Sequence, residues 1–578
     1  MSDEQKNQQP GSKQELSTET RLLIAFALMG LVLFATPYLF KTMAPPAPAA
    51  KKSAIQQQTP APPSTTPPAP VAAPAKSAPA GESEQHIAAR KEETFVVETD
   101  LYKIVFSNRG AVVREWTLKK YTDSSDKNAK PLELVNMVAT PKTGYPFQFF
   151  FEQKKPATDL NNALFDTKPS GDGLSITFEY ADGAVTARKT FRFHKNEYLT
   201  DVSTEVSENG AAVPHLVAWR GGFGDQALTN PAEQHTIFFD LNETKLRTHV
   251  AKDAKNAPVT DEGNFSFAGM EDKYFTAAFQ PAGAGALRLV TLADTVATTV
   301  DPKEQPRVGA AVGNPGHNDF ALFVGPKDID ILRQVNPKLV NVVDFGWFWF
   351  LAKPLFYALH YVNSQWVHNY GWSIIVVTIL INLVLFPMRL TNLKSMKKMQ
   401  VLQPQIAAIN DKYKGIGLRD PRKQQQNEEI MALYKKHGAN PMGGCLPMLI
   451  QVPFFIAFYK VLSVSVQLRH ADWLWVTDLS QPETLAIHIL PIVMIATQFF
   501  MQKMTPTTTA DPSQQRMMLM MPLVMGFFFY NLPSGLVLYY MTSNLVGIAQ
   551  QWFFNKTVTV ADLPQPAPVA KKQSGKRR

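Results

Sequence analysis

The sequence PSGLVLYYMTSNLVGIAQQ, residues 533–551, places amide and hydroxyl side chains inside an apolar segment of nearly membrane-spanning length. A second stretch, NPMGGCLPMLIQVPFFIAFY at residues 440–459, carries a glutamine between prolines in its apolar run. Polar residues within membrane helices usually face the interior of a bundle or a water-filled cavity. The two stretches therefore predict a helical membrane bundle that can accept something polar from within the bilayer.

Five apolar segments in the last third of the chain are predicted to cross the membrane as helices. A helix of about 20 residues spans the hydrocarbon core of a bilayer, and local thinning accommodates shorter ones. The predicted spans are residues 371–387, 445–466, 485–501, 517–532 and 534–554. Three of them are at the short end of this range, so we expect a core at 371–554 that thins the bilayer around it.

The composition limits the remaining possibilities. At 578 residues the chain is too long for one soluble core, which indicates several domains. The single cysteine, Cys445, excludes an internal disulfide framework and lies in an apolar run, where a packed, inert thiol is expected. The formal net charge is +9, but the basic residues cluster beside membrane segments, so DNA is not expected as a partner.

The N-terminal region is predicted to be an anchor and a tether. Residues 1–21 are polar and precede a nearly continuous apolar run at 22–41, which suffices for one span. A cleaved signal peptide is the alternative, because residues 47–49 loosely resemble a cleavage site, but the long polar leader favours a retained anchor. Residues 42–94 are rich in proline and alanine, which predicts an extended tether without a core.

Short alternating runs over residues 95–340 predict a large all-β domain. Residues 174–180 and 185–193 alternate apolar and polar side chains around an Asp-Gly dipeptide at 182–183, the pattern of a β-hairpin. Many such runs, separated by Gly, Asn and Pro, are typical of a β-sandwich.

The aromatic stretch FGWFWF at residues 345–350 opens a segment, 344–366, in which aromatic and polar residues are interspersed. Such a composition predicts an amphipathic helix that lies in the membrane interface. A packed helix of the β domain is the alternative.

Charge predicts the orientation. The 391–440 connection carries ten Lys and Arg residues against four acids, whereas the 467–484 loop carries one against three. The tail at 555–578 is also basic. Since basic segments stay in the cytoplasm, the N- and C-termini are expected inside and the β domain outside, in the periplasm of a bacterium.

The 391–440 connection has the composition of a cytoplasmic helical hairpin interrupted by glycines and a proline. Its excess of positive charge favours contact with lipid headgroups or with ribosomal RNA, and the pattern does not discriminate between them. A merely solvated charged face is the third reading. The candidates for substrate or ribosome contact are Arg389, Lys394, Lys397, Lys398, Lys412 and Lys414.

Polar residues inside the predicted spans are the main candidates for function. Thr378 and Asn382 are four residues apart and share one helix face. The positions 540, 543, 544, 547 and 551 form a second polar stripe, with methionines abundant nearby. Interhelical hydrogen bonding is one reading, and the lining of a water-accessible groove is the other. The candidate groove residues are Thr378, Asn382, Gln451, Pro453, Tyr539, Tyr540, Ser543 and Asn544.

Sequence signatures of enzymes are not found. There is no HExxH zinc motif, no Walker sequence, no GxSxG elbow and no complete dinucleotide loop. We therefore expect no catalytic residue, no metal site and no cofactor.

The strings NYGWSIIVVT, SMKKMQVLQPQI, NPMGGCLPMLIQVPFF, QKMTPTTTADPSQQ and PSGLVLYYMTSNLV resemble the YidC family of membrane protein insertases, in its long Gram-negative form. The resemblance implies a periplasmic β-supersandwich and a five-span core with a groove open to cytoplasm and lipid. It also implies that the chain is a multi-pass protein of the bacterial inner membrane that inserts nascent membrane proteins and helps them fold. The implied partners are the ribosome, the Sec translocon and the phospholipid bilayer.

The chain departs from many members of this family at two positions. Where those relatives carry a groove arginine, one helical turn after the position of Thr378, this chain has Asn382. Some relatives have a tryptophan where this chain has Asn531. An account of substrate attraction that depends on the arginine therefore does not transfer unchanged.

Two other functions are also compatible with this sequence. A membrane-tethered sugar-epimerase-like enzyme predicts carboxylate or histidine clusters in the β domain. A small-solute transporter predicts related halves with broken helices, and the five predicted spans show no such duplication.

Overall fold

The computed structural model describes residues 86–126, 128–228, 230–282, 286–314, 317–415, 420–439, 446–505 and 512–558. The predicted leader at 1–21, the anchor at 22–41, the tether up to residue 85, the tail beyond residue 558 and Cys445 lie outside these ranges.

The first part of the described chain is a succession of β-strands. In chain order they are β1 Thr94–Glu98, β2 Tyr102–Ser107, β3 Val112–Thr122, β4 Pro131–Glu133, β5 Gln148–Phe150, β6 Asp166–Pro169, β7 Ser175–Asp182, β8 Val185–Phe193, β9 Leu199–Glu208, β10 Ala211–Ala212, β11 Leu216–Trp219, β12 His235–Asp240, β13 Lys245–His249, β14 Val259–Gly263, β15 Phe265–Glu271, β16 Phe275–Pro281, β17 Leu287–Val296, β18 Gln305–Gly313 and β19 Asn318–Pro326.

These strands pair antiparallel in three sheets. The largest has the order β13-β12-β15-β16-β19-β9-β8-β7-β6, with β10 paired to β9. The two smaller sheets have the orders β1-β2-β3-β4 and β14-β17-β18-β11-β5. Aromatic side chains fill the core of the domain, with Trp116 stacked on Phe147 at 6.1 Å between ring centroids.

Alternation along the strands explains why they lie where they do. In β8 every second side chain is buried, from Val185 to Phe193, so one face of the strand packs on the core. Asp182 pairs with Val185, which leaves Gly183 and Ala184 as the two-residue loop of the hairpin. The hairpin predicted from the sequence is present, but its loop is Gly183-Ala184 rather than the Asp182-Gly183 dipeptide. Gly183 has the positive φ that the turn requires.

Helices form the second part of the described chain. They are α1 Thr140–Thr143, within the β region, and then α2 Ile329–Val335, α3 Trp349–Val362, α4 Tyr370–Val384, α5 Phe386–Lys412, α6 Arg422–Lys436, α7 Leu446–Val464, α8 Ile489–Met504, α9 Pro512–Phe529 and α10 Ser534–Thr557. A π-helical turn, Asn363–Val367, follows α3.

Local sequence fixes several of these boundaries. The Asn369 side chain caps α4 by accepting a hydrogen bond from the backbone N–H of Trp372 at 3.2 Å. Pro387 lies in the first turn of α5, where its missing N–H costs no hydrogen bond. The helix after the first predicted span therefore begins at Phe386, almost directly after α4, rather than after a separate connection.

Among the described residues, no individual helix has both the length and the apolarity expected of a complete membrane span. The stretches Trp349–Val367 and Tyr370–Val384 meet that criterion only as a pair, and their axes differ by 117° at the break between them. Shorter apolar helices are Gln451–Val464, Ile489–Met504 and Leu519–Phe529.

Residues 404–436 belong to a compact unit separate from the rest of the described chain. Within this unit the end of α5 pairs with α6. Lys412 Nζ lies 2.6 Å from Glu429 Oε1, and Gln426 Nε2 donates to Asn410 Oδ1 at 2.7 Å. The pairing agrees in form with the predicted helical hairpin.

Candidate substrate groove

The two groove candidates in α4 are close together, and their side chains bond within the helix. Thr378 is fully buried, and its hydroxyl donates to the carbonyl of Ile374 at 2.6 Å. The Asn382 amide nitrogen donates to the carbonyl of Thr378 at 2.8 Å. A residue spacing of four places these groups on one face, as the sequence predicted.

That face of α4 meets the polar face of α10 around Asn382. The Ser543 hydroxyl lies 3.5 Å from Asn382 Oδ1, at the long limit of a hydrogen bond. Gln550 Nε2 donates to the backbone carbonyl of Asn382 at 3.1 Å. Asn382 therefore contacts a hydroxyl and an amide of the neighbouring helix, while its own side chain is half-buried.

A second polar contact joins α7 to α10. Gln451 Nε2 donates to the phenol oxygen of Tyr539 at 3.1 Å, and the Tyr539 ring stacks on Phe458 at 4.4 Å. Pro453 lies within α7, two residues beyond Gln451, where its ring removes one backbone hydrogen bond of the helix. Gln451 and Tyr539 thus form a polar contact between the otherwise apolar surfaces of α7 and α10.

The remaining two candidate groove residues, Tyr540 and Asn544, have different surroundings. Asn544 is buried, and its amide donates to the Thr497 hydroxyl of α8 at 3.3 Å. Tyr540 is half-buried among aromatic rings, with its centroid 4.9 Å from that of Phe529. Polar side chains of α10 therefore contact three neighbouring helices: Tyr539 contacts α7, Ser543 contacts α4 and Asn544 contacts α8.

These contacts bear on both readings of the polar residues. Hydrogen bonds between helices stabilise membrane bundles by about 0.6–2 kcal/mol each, and the Asn544–Thr497 contact fits that role. Asn382, Gln451 and Tyr540 are only half-buried, however, and each retains surface that a further polar group can reach. Bundle stabilisation and substrate contact are therefore compatible at the same residues.

Arg389, in the first turn of α5, is seven residues beyond Asn382 and places its charge beside the polar face of α10. Its guanidinium lies 3.6 Å from the sulfur of Met501 and so close to Gly547 that a Cβ there would collide with it. No carboxylate pairs with it among the described residues. The absence of a side chain at Gly547 makes room for this cation beside the stripe.

The other basic candidates fall into two groups. Lys394 is exposed on α5, while Lys397 donates to the carbonyl of Val558 at the end of α10, with its ammonium 5.5 Å from the centre of the Phe554 ring. Lys398 is half-buried. Lys412 and Lys414 belong to the separate unit at 404–436, where Lys412 is paired with Glu429 and Lys414 is exposed.

Three residues at these contacts were missed in the sequence analysis. Thr497 in α8 and Gln550 in α10 bond to predicted residues, and Gln498 has a buried side-chain oxygen without a partner in the described part of the chain. Gln550 is adjacent to the predicted Gln551, whose amide instead bonds to Asn555 in its own helix. The helical spacing alone did not distinguish these two neighbours.

The buried titratable groups of the β domain have structural partners. Burial lowers the pKa of His215 to about 4, and its ring bonds to the Thr204 hydroxyl and the Val213 carbonyl. Glu271 pairs with Lys327 at 2.9 Å. No group of three or more metal-ligating side chains occurs among the described residues.

Known families match most of the chain. The family described as 60Kd inner membrane protein matches residues 362–561, and the YidC periplasmic domain matches residues 94–358. A curated relative in Pelobacter propionicus, named membrane protein insertase YidC, is 36% identical over 492 residues, which cover 82% of this chain and 88% of the relative. A relative of the same name in Syntrophus aciditrophicus is 33% identical over 561 residues, covering 93% and 99%.

Two solved structures are similar to parts of this chain. A crystal structure of an active YidC insertase is 20% identical, with a TM-score of 0.35, and covers 81% of this chain and 94% of its own. A galactose mutarotase related enzyme from Lactobacillus acidophilus is 13% identical, with a TM-score of 0.28, and covers 40% of this chain and 97% of its own.

Proposed function

This chain belongs to the YidC family of membrane protein insertases, and from that premise we propose that it inserts nascent inner-membrane proteins along the polar face of α10. Its family acts on nascent membrane proteins and is not a family of enzymes, so the epimerase and transporter readings are not favoured. The observation that supports the route is the series of amide and hydroxyl contacts that α10 makes with α4, α7 and α8.

Exchange of hydrogen bonds explains how such a face can receive a substrate. Leaving a buried amide without a partner costs about 1–3 kcal/mol, whereas an interhelical hydrogen bond in a membrane is worth about 0.6–2 kcal/mol. A polar substrate segment that supplies a donor and an acceptor therefore replaces the contacts of Asn382 or Gln451 at little net cost. The apolar part of the substrate then partitions into lipid, so no nucleotide or cofactor is needed.

Arg389 is proposed to attract the acidic parts of substrates. It provides positive charge beside the stripe, although position 382 holds an uncharged amide. The lysines of α5 extend this charge, and through them we propose contact with lipid headgroups or with the ribosome. Cooperation with the Sec translocon is proposed from the family alone.

We further propose that both termini and the basic 391–440 connection lie in the cytoplasm and that the β domain lies in the periplasm. Charge asymmetry between connections supports this orientation. With Cys445 replaced by alanine, a cysteine at Leu474, which is 63% exposed in the 467–484 loop, should react with an impermeant thiol reagent added to intact cells. Cysteines at Lys414 and Lys572 should not react, and labelling of Lys414→Cys from outside would refute the orientation.

Site-specific crosslinking tests the proposed route. Photoreactive residues at the half-buried positions 382, 451 and 540 should crosslink to a ribosome-bound nascent membrane protein. Leu545 is on the same helix as Tyr540 but is 48% exposed on another face, so position 545 is the matched control. Equal crosslinking at 540 and 545, or none at the first three positions, would contradict a route along the polar face.

A further inference from the structure

The connection between α7 and α8, residues 465–488 and here termed the outer loop, contacts the β domain through nearby polar side chains. Gln467 Nε2 donates to Asp328 Oδ2 at 2.7 Å, and Asp328 is the N-cap of α2. His470 Nδ1 lies 3.0 Å from the Thr122 hydroxyl at the end of β3. Between these contacts, Arg469 enters the β domain itself.

Arg469 and Asp225 form an ion pair that is almost completely buried. Arg469 Nε donates to Asp225 Oδ2 at 2.8 Å, and Nη2 lies 2.6 Å from the same oxygen. The two side chains are 4% and 3% exposed. The guanidinium also lies 5.9 Å from the centre of the Phe275 ring, at the start of β16.

The β domain holds Asp225 in a fixed position. The backbone N–H of Asp225 donates to Asp272 Oδ2 at 2.5 Å, and the other oxygen of Asp272 accepts from the N–H groups of Tyr274 and Phe275. Gly224 precedes Asp225 with φ of +92°, and a Cβ there would collide with the Asp272 carboxylate. Only glycine therefore permits this approach, and the acceptor for Arg469 is set by buried backbone geometry.

The opposite side of the outer loop contacts the beginnings of the groove helices. The N–H groups of Ser534 and Gly535, in the first turn of α10, donate to the carbonyls of Gln481 and Leu479 at 2.8 and 2.9 Å. The indole of Trp473 packs on Gly371 near the start of α4 so closely that a Cβ there would collide with it.

The start of α8 is attached to the loop in the same way. The Leu490 N–H donates to Glu483 Oε2 at 2.9 Å, and Trp475 Nε1 donates to the other oxygen of Glu483 at 2.8 Å. The helices that carry Asn382, Thr497 and the polar stripe therefore all begin on one loop.

We propose that Arg469 is a positioning residue for insertion: its pair with Asp225 fastens the outer loop to the β domain and thereby fixes the starting ends of α4, α8 and α10. The inference rests on the proposed function, because those three helices carry the proposed substrate route. It assigns a task to the β domain, which contributes no side chain to the polar face of α10 among the described residues. The outer loop is therefore bonded to the β domain on one side and to the first turns of α8 and α10 on the other.

The energetics of a buried pair give this proposal a distinctive signature. Removing one partner leaves an uncompensated charge in a buried place, whereas replacing both with apolar residues is often tolerated. Asp225→Leu and Arg469→Met should each loosen the loop, and the double variant should recover. Arg469→Lys keeps the charge but loses the planar guanidinium, so it should fall between wild type and Arg469→Met.

The experiment uses the full-length protein in proteoliposomes, with Cys445 replaced by alanine and a cysteine at the buried Ser373 in the first turn of α4. The rate of labelling by an impermeant thiol reagent added on the β-domain side measures the exposure of this helix end, on which Trp473 of the outer loop packs at Gly371. Asp225→Leu should raise the labelling rate about tenfold and lower the insertion rate, and the double variant should restore both to within about twofold of wild type.

Asp294→Leu is the matched control, because Asp294 pairs with Arg220 at 2.5 Å, is nearly as buried as Asp225 and makes none of its described bonds to the outer loop. It should leave the labelling rate of Ser373→Cys unchanged. Equal labelling in Asp294→Leu and Asp225→Leu, unchanged labelling in Asp225→Leu, or no recovery in the double variant would each overturn the positioning role. The labelling assay needs no substrate, so failure of the groove crosslinks would refute the proposed route without altering this result.

Discussion

Asn382 offers both a hydrogen-bond donor and an acceptor where α4 meets α10, and it does so without a charge. Its side chain is half-buried, so it can bond to Ser543 and remain within reach of an incoming group. The cation on this face is instead Arg389, seven residues later. In the proposed function, attraction and hydration of a substrate therefore fall to different residues, Arg389 and Asn382, which are seven positions apart.

Asn382→Leu should impair the insertion of substrates with polar translocated tails by about threefold to thirtyfold, because one interhelical hydrogen bond is worth about 0.6–2 kcal/mol. Substrates that differ only by an apolar tail should be inserted at the wild-type rate. Asn382→Arg is the matched comparison and should favour acidic tails. The measurement is insertion into proteoliposomes, and equal rates for every tail in Asn382→Leu would reduce this residue to bundle packing.

Asp272 gives the β domain a pH dependence. Burial, followed by the nearby charge of Asp225, raises the pKa of its carboxyl from 3.8 to about 7. The folded protein therefore keeps a proton that the unfolded chain releases above about pH 4. The stabilisation by this group is complete below that pH and is lost as the pH rises through 7. The charged neighbours are Asp225, Glu271, Lys273, Lys327 and Arg469.

Asp272→Asn should therefore flatten the fall in melting temperature between pH 5 and pH 8 relative to wild type. Thermal unfolding of the full-length protein in detergent at several pH values measures this slope. Asp100→Asn, which alters an exposed carboxylate of the same domain, is the control and should keep the wild-type slope. An unchanged slope in Asp272→Asn would show that the carboxyl does not titrate in this range.

At the scale of elements, the end of α5 and α6 form a separate compact unit within residues 404–436. Its helices are joined by Lys412–Glu429 and by Gln426–Asn410, so it has contacts of its own. Lys397 precedes this unit and bonds to the end of α10 instead.

Deletion of residues 405–435 should therefore leave the bundle folded and reduce insertion by about tenfold or more, because basic surfaces raise the local concentration of their partners. Replacement of the same residues by a neutral flexible linker separates loss of charge from loss of length, and we expect it to be equally defective. Insertion at the wild-type rate by either variant would remove this element from the mechanism.

Elements with strong local patterns were predicted well, and contacts between distant elements were not. Strand β8 and the hairpin it forms with β7 follow from alternation and a turn dipeptide. The helices near the predicted spans differ from them by a few residues, since apolar runs do not mark where backbone bonding starts. The contact between Thr497 and Asn544 was not predicted, because a lone polar residue in an apolar helix produces no periodic pattern that would indicate which face it lies on. Nothing local to Arg469 indicated Asp225.

At the scale of the whole molecule, the β domain and the outer loop form one connected structure, through Asp225, Asp328 and Thr122. Because the Asp225–Arg469 pair is buried, deleting the whole β domain has a different effect from removing the Asp225 side chain alone. Without the domain, Arg469 returns to water and its charge needs no partner, while the outer loop keeps its hydrogen bonds to the first turns of α8 and α10.

Deletion of residues 100–320, with the helix at 344–366 retained, should accordingly preserve most of the insertion activity. The single substitution Asp225→Leu should be more harmful than this much larger deletion, provided that both proteins are present in the membrane in equal amounts. Insertion by purified proteins in the same vesicles makes the comparison. Complete loss of activity in a stable deletion variant would argue against a route centred on α10.

The Asp225–Arg469 pair also sets an order of events during synthesis. Its two residues are 244 positions apart in the chain, and Asp225 is made first. The last strand of the β domain ends at Pro326, about 140 positions before Arg469, so at about 5–20 residues per second the whole domain has roughly 7–28 seconds to fold as a unit before Arg469 is made. The folded β domain then offers a preformed binding site for a loop that has not yet been translated. Each new copy of this insertase completes its own assembly by docking a late segment onto an early one.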